Sequence, residues 1–195
     1  MKQSEEVWRE RRRGTTHLHR STPAAHRLAA AAVLLSLLGG FSFTPPHREF
    51  AKPAPLFKAE EFFIGRTEGK GTIKGPLSKL TSLADTGVGH IEHDGTLVLD
   101  QRVQRGDQPV ETRQWRIRKQ RDGSYAGTLS DAKGPIVAEI NGNCLHVKYV
   151  IAKGSYGAEQ YVYLQPGGRV AINRMIIRKF GLTVATVEET IRKVG

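Results

Sequence analysis

Eight side chains have the type and spacing to meet a ligand: Arg66, Glu68, Arg113, Trp115, Tyr125, Asp131, Tyr149 and Arg174. Most fall in runs that alternate with apolar residues. Glu111, Arg113, Trp115 and Ile117 share one phase, as do Tyr125, Gly127, Leu129 and Asp131, and as do Ile172, Arg174 and Ile176. In a strand, residues two apart point to the same face. A close-packed interior does not hold Arg113, Asp131 and Arg174 without partners. One reading is a chamber whose charged groups orient the polar head of a ligand. The bland reading is structurally paired charges, or an inside–outside assignment displaced by one residue. An enzyme reading uses Glu68, Asp131 and the arginines as acid–base or charge-stabilising groups. It requires two titratable groups within about 3 Å of a common point. No catalytic residue is assigned, and no metal or cofactor is expected.

Other clusters carry less. His90 and His93 lie three apart, on opposite faces of a strand, and His17-x-His19 sits in a basic leader. Cys144 and His146 share a strand face but lack a third, orienting group, so a structural cysteine is favoured. Gly65, Gly69 and Gly71 fit neither the P-loop nor the dinucleotide spacing and read as kinks or bulges. The basic run Arg113, Arg116, Arg118, Lys119 and Arg121 is the best polyanion candidate. Nucleic-acid-binding sheets interleave exposed aromatics with the bases they stack. Here only Trp115 is near, on the other face. Nucleic acid is disfavoured, and an anionic membrane surface is the alternative partner.

The elements that must position these residues begin after a leader. The chain has 195 residues and a formal charge of +11. Residues 28–43 form an apolar run without charge, preceded by basic residues from Arg9 to Arg27. That order is the pattern of a secretory signal. At about 1.5 Å per residue the run spans roughly 24 Å, short of a roughly 30 Å hydrocarbon core. The expectation is an exported protein, periplasmic or anchored to the inner membrane by residues 28–43. Residues 44–56, with Pro45, Pro46, Pro53 and Pro55, read as an extended tether. A single cysteine excludes an intrachain disulfide.

Residues 57–195 have the grammar of an all-β, antiparallel domain. Asp94-Gly95, Asp122-Gly123, Asn141-Gly142 and Pro166-Gly167-Gly168 mark turns. Leu97, Leu99 and Val103 share a face, as do Ile136, Ala138 and Ile140, and as do Leu145, Val147, Tyr149 and Ile151. The expected strands are 61–74, 87–93, 96–105, 109–121, 124–132, 136–141, 143–153, 159–165, 169–180 and 182–194. Leu77, Leu80 and Leu83, three apart, suggest a short helix over 77–86. About eight to ten meandering strands suit a closed barrel, since closure removes exposed edges. A sandwich is the alternative. Barrels of this size are filled or hold one small ligand. A monomer is expected.

The order Phe62-Phe63-Ile64-Gly65-Arg66-Thr67-Glu68-Gly69-Lys70-Gly71, Arg113-Gln114-Trp115, Tyr125-Ala126-Gly127, Asp131 with Gly134, Gly142-Asn143 before Tyr149, and Asn173-Arg174 before Lys179-Phe180-Gly181 resembles the bacterial domain-of-unknown-function family 3833. The resemblance covers roughly residues 57–195. It implies an exported, lipocalin-like β-barrel, often lipoprotein-like, and carries no established activity. Here Ala158-Glu159-Gln160-Tyr161-Val162-Tyr163 replaces an aspartate-rich stretch with a tryptophan. A tryptophan before the tyrosine at position 149 is also missing, and there is no lipobox cysteine. The reading is a barrel binding a small amphipathic or lipid-like molecule.

Overall fold

A computed structural model describes residues 48–195. The leader, residues 1–43, and the start of the Pro-rich stretch lie outside the described residues. Ten antiparallel strands run as β1 (Gly65–Lys74), β2 (Thr81–Ile91), β3 (Leu97–Arg105), β4 (Glu111–Lys119), β5 (Tyr125–Leu129), β6 (Ile136–Asn141), β7 (Cys144–Ile151), β8 (Tyr156–Leu164), β9 (Val170–Lys179) and β10 (Leu182–Val194). Each pairs with its sequence neighbours, and β10 returns to β1 through Arg66–Val194 to Lys74–Thr186, closing the barrel. Closure leaves no free edge, which is how a ten-strand meander avoids pairing with other chains.

The apolar phase of most strands faces inward as the alternation requires. Leu97, Leu99, Ile117, Ile136, Leu145 and Val147 join one buried cluster. Strand β9 departs from the expected phase. Ala171, Asn173 and Met175 face in and are buried, whereas Ile172, Arg174 and Ile176 pair with outward residues. Both faces of β9 are apolar because the outer one is partly covered, so alternation alone could not assign its direction.

Two segments differ from expectation, one at each end of the barrel. Residues 61–63, the beginning of the first expected strand, instead belong to a one-turn helix, α1 (Ala59–Phe63). Phe57, Phe62 and Phe63 meet at ring separations of 5.8, 6.1 and 4.9 Å and plug this end. Burying each ring contributes roughly 1.5–3 kcal/mol. A Cβ on Gly89 of β2 would collide with the Phe63 carbonyl, so the missing side chain is what lets the plug seat. The second departure is the expected helix over 77–86. Thr81 onward is strand β2, Leu83 lines the interior, and Leu77 and Leu80 stand in solvent on the hairpin between β1 and β2. Their spacing of three reflects no buried helical face.

Within the Pro-rich stretch Arg48–Phe50 form a single 3-10 turn, and from Phe50 onward the segment is bound to the barrel wall. Asn143 holds it. The side-chain carbonyl accepts the Lys52 N–H at 2.7 Å, and the amide donates to the Phe50 and Leu164 carbonyls, both at 2.9 Å. The Asn143 N–H donates to Lys52 O, and the Phe57 N–H to Gly142 O. Phe50 lies over Tyr163 and under Arg174.

Candidate functional site

The barrel interior has two unequal halves. The half behind the phenylalanine plug is apolar and nearly filled, with about 40 Å³ of free space. The other half is a chamber of about 900 Å³ at the opposite end. Its wall combines Ile73, Leu83, Val103, Ile151, Ile177 and Val187 with charged groups. Arg105 and Glu111 form an ion pair among the lining residues.

A polar belt separates the halves. Arg113 on β4 donates from Nε to Gln101 Oε1 at 3.0 Å, and Trp115 Nε1 donates to the same oxygen at 2.6 Å. The Arg113 guanidinium lies 5.8 Å from the Trp115 ring centre, and Tyr149 stands edge-on to Trp115 at 5.7 Å. Arg113 also lies beside the Tyr149 hydroxyl and opposes the burial that raises the tyrosine's pKa. Gln101 occupies only one of the guanidinium's five N–H donors.

Opposite Arg113 stand two buried carboxyls, Asp85 on β2 and Glu189 on β10. They are not sequence neighbours, yet both flank Gly69 of β1, where any Cβ would collide with Asp85 Oδ1 and Glu189 Oε1. Gly69 is therefore bare to make room for the pair, and it belongs to a regular strand with no phosphate-loop geometry. Burial raises both carboxyl pKa values. At Glu189 the Asp85 charge adds to burial, and the carboxyl is pushed up to about 8. Asn173 Nδ2 donates to Glu189 Oε2 at 2.9 Å. Two acceptor-only oxygens side by side need one proton between them, and the raised pKa supplies it.

Unpaired buried polar atoms concentrate in this interior: Asp131 Oδ1, Tyr149 OH, Gln160 Oε1 and Asn173 Oδ1, besides the two carboxyl oxygens. A native interior leaves few such atoms unpaired, because each costs about 1–3 kcal/mol. Asp131, Gln160 and Asn173 line the large chamber itself.

Of the eight expected residues, Arg113, Trp115, Asp131 and Tyr149 face this interior. Tyr125 also points inward, but at the plugged end. Its hydroxyl accepts the Ala59 N–H at 3.2 Å and donates to Glu60, fastening α1. Arg66 and Glu68 lie on the outer wall, 3.5 Å apart and exposed. Arg174 is outside as well, 3.4 Å from Glu188. The enzyme reading therefore loses Glu68 and Arg174 from the chamber. Asp85, Gln101, Gln160, Asn173 and Glu189 were missed. Val187-x-Glu189-x-Ile191 did carry a signal, an acid in phase with two apolar residues.

The basic run on β4 is largely neutralised. Arg116 binds Glu92 at 2.8 Å, Arg118 lies 4.0 Å from Asp94, and Lys119 lies 3.1 Å from Glu60. Cys144 is buried against Tyr163, and burial pushes its thiol up to about 11, away from nucleophilic reactivity. Its neighbour His146 instead stacks on Tyr161 at 4.3 Å and approaches Glu159 at 3.1 Å.

A closed antiparallel barrel with one plugged end and a chamber at the other is a lipocalin-like architecture. The chain belongs to the family described as "Protein of unknown function (DUF3833)", matched over residues 35–193. Among solved structures it is similar to the S-type phycobiliprotein lyase CPES from Guillardia theta. That match has a TM-score of 0.55 and 10% identity, covering 71% of this chain and 94% of the lyase. At that identity the likeness is one of fold. No curated protein sequence matches the chain.

Proposed function

We propose that this protein is an exported carrier that holds one small amphipathic, lipid-like molecule, polar head inward. The carrying observation is the row of unpaired polar atoms of Asp131, Gln160 and Asn173 along a chamber of about 900 Å³ whose wall is part apolar and part charged. That volume is of the size that encloses small ligands. The ligand's head would take hydrogen bonds from Arg113 and give them to these oxygens, while its chain would lie along Ile73, Leu83, Ile151 and Ile177. The likeness to a phycobiliprotein lyase, a protein of the same fold, is consistent with a small-molecule role. Export is supported by the apolar run at 28–43 and its basic flank.

The test is lipid extraction and native mass spectrometry of protein purified from its own cells. One amphipathic species near equimolar amount is expected. Ala185→Trp places an indole in the chamber and is expected to remove that species while leaving the barrel folded. A chain that carries no lipid and fails to take up a dansylated C11 fatty acid would refute the carrier reading.

The Asp85–Glu189 pair favours a second reading, since it brings two buried carboxyls together in the barrel interior. A shared proton there could serve acid–base chemistry on a bound substrate. Conversion of the extracted ligand on incubation, lost in Asp85→Asn, would support that reading over the carrier.

A further inference from the structure

Large apolar side chains are exposed at several places on the barrel, and the four most exposed among the described residues, Leu77, Phe180, Leu182 and Leu80, stand at one end. Strand β1 ends, and β2 begins, at the mouth of the chamber, where Ile73 and Leu83 line it. The hairpin between them, residues 75–80, carries Leu77, fully exposed, and Leu80. Strands β9 and β10 turn at the same mouth, where Ile177 and Val184 line the chamber. Their hairpin carries Phe180, 93% exposed, and Leu182, 72% exposed. Val110 adds a further exposed apolar group on the hairpin between β3 and β4. Val88 and Val137, by contrast, stand on the strands of the outer wall.

The backbone at Phe180 is costly. Lys179 pairs with Leu182, so Phe180 and Gly181 form a two-residue turn with φ of 50° and 79°. Asn or Gly is the ordinary choice for the first of these positions, because a Cβ is crowded there. The Phe180 ring meets the Lys179 ammonium at 5.7 Å and otherwise stands open to solvent.

Cations ring these hydrophobes. Lys74 and Lys79 flank and occupy the first hairpin and are exposed. Lys133 and Lys153 are exposed on the neighbouring loops. Lys179 Nζ donates to Gly154 O at 2.8 Å and lies over Tyr156. Of the acids on these hairpins and neighbouring loops, Asp107 and Asp131 have no ion pair among the described residues, Asp131 lining the chamber, and Glu111 is paired with Arg105. Exposed apolar tips within a basic ring match an anionic bilayer, whose headgroups attract lysines while its acyl region accepts leucine and phenylalanine. A folded protein partner would need no fixed ring of cations around the apolar tips.

The geometry points to the chamber mouth as a membrane-docking surface. The hairpins at 75–80 and 180–181 place Leu77, Leu80, Phe180 and Leu182 among lipid chains, and Lys74, Lys79, Lys133 and Lys153 meet anionic headgroups. The chamber then opens directly onto the bilayer. The docking does not rest on the carrier reading and stands whatever the chamber holds.

The apolar leader alone would hold the full-length chain on vesicles, so the readout must be local. Cys144 is buried, which leaves a cysteine introduced at Phe180→Cys as the reactive thiol for an environment-sensitive nitrobenzoxadiazole label. Val137→Cys supplies the control on the outer wall. With vesicles of phosphatidylcholine and phosphatidylglycerol, the label at 180 is expected to brighten several-fold while that at 137 stays unchanged. The rise should be weaker on phosphatidylcholine alone. It should fall further when Lys79→Glu and Lys153→Glu are added. Equal brightening at both positions, none at 180, or no preference for the anionic vesicles overturns the proposal. So does brightening at 180 on raising protein concentration without vesicles, which would assign the surface to a second copy of the chain.

Discussion

Glu189→Gln is expected to make the barrel more stable in alkali and to leave it nearly unchanged in mild acid. The native carboxyl has its ordinary value of 4.5 when unfolded and about 8 when folded. Between those values the folded chain binds more protons than the unfolded one. Stability contributed by the pair is therefore complete below about pH 4.5, falls as pH rises, and is lost by about pH 8. The slope is about 1.4 kcal/mol for each pH unit across that window, so several kcal/mol are at stake. Glutamine keeps an oxygen for Asn173 and offers an amide N–H to Asp85 in place of the shared proton. The alkaline loss should then disappear. Urea unfolding at pH 5 and pH 9 measures both ends. A native protein whose stability is flat between those values would show that the two carboxyls do not share a proton. Asp85→Asn removes the Asp85 charge but leaves the burial of Glu189, the larger cause, so it should make the slope shallower without abolishing it.

Asn143→Ala should be the most damaging single change outside the barrel interior. Asn143 is 1% exposed and uses its side chain on three backbone groups, from Phe50, Lys52 and Leu164. Alanine strands a donor and two carbonyls, each at a cost of about 1–3 kcal/mol, so a loss of roughly 3 kcal/mol or more is expected. Aspartate should do no better, because it keeps the acceptor for Lys52 but turns a carboxylate toward two carbonyls. The released segment should expose Lys58 to trypsin while Phe57 loosens from the plug. Chemical unfolding gives the stability change, and the rate of cleavage at Lys58 reports the detachment. Unchanged cleavage with full stability would show that residues 50–57 are held by the plug alone.

Several blocks shared with the family acquire physical roles here. Gly69 clears space for two carboxyls, Asn143 clamps the entering chain, Tyr125 fastens α1, and Asn173 donates to Glu189. Glu159, in the stretch 158–163 on β8, lies outside the chamber. Burial opposes its charge, yet hydrogen bonds from Tyr161, Lys148, Arg178 and His146 hold it down to about 2. The chamber residue within the same stretch is Gln160.

Local order was legible wherever alternation and turn residues agreed. Strand β7 follows directly from Leu145, Val147, Tyr149 and Ile151, and strand β10 has the expected bounds, Leu182–Val194. All ten strands and the closed barrel could be inferred, because period-two burial and tight turns are properties of short segments. The direction of β9 could not. Ile172, Ile176 and Met175 are apolar on both faces, and only the docked Phe50 segment and the packed interior decide which face is which. The same limit explains Leu77 and Leu80, whose spacing mimics a helix although neither is buried. It explains Glu68 and Arg174, placed in a chamber they do not face.

The charged interior was half visible. Arg113, Trp115, Asp131 and Tyr149 announced themselves by interrupting apolar faces. Asp85 and Glu189 lie more than a hundred positions apart in the chain and meet only because β10 closes onto β1 beside β2. Residue type and phase, which are local, therefore determined the strands, the turns and part of the polar belt. Barrel closure decided which acids share a proton, where the chamber lies, and that its mouth carries the exposed leucines and phenylalanine. Closure sums the registers of all ten strands, and no short segment contains that sum.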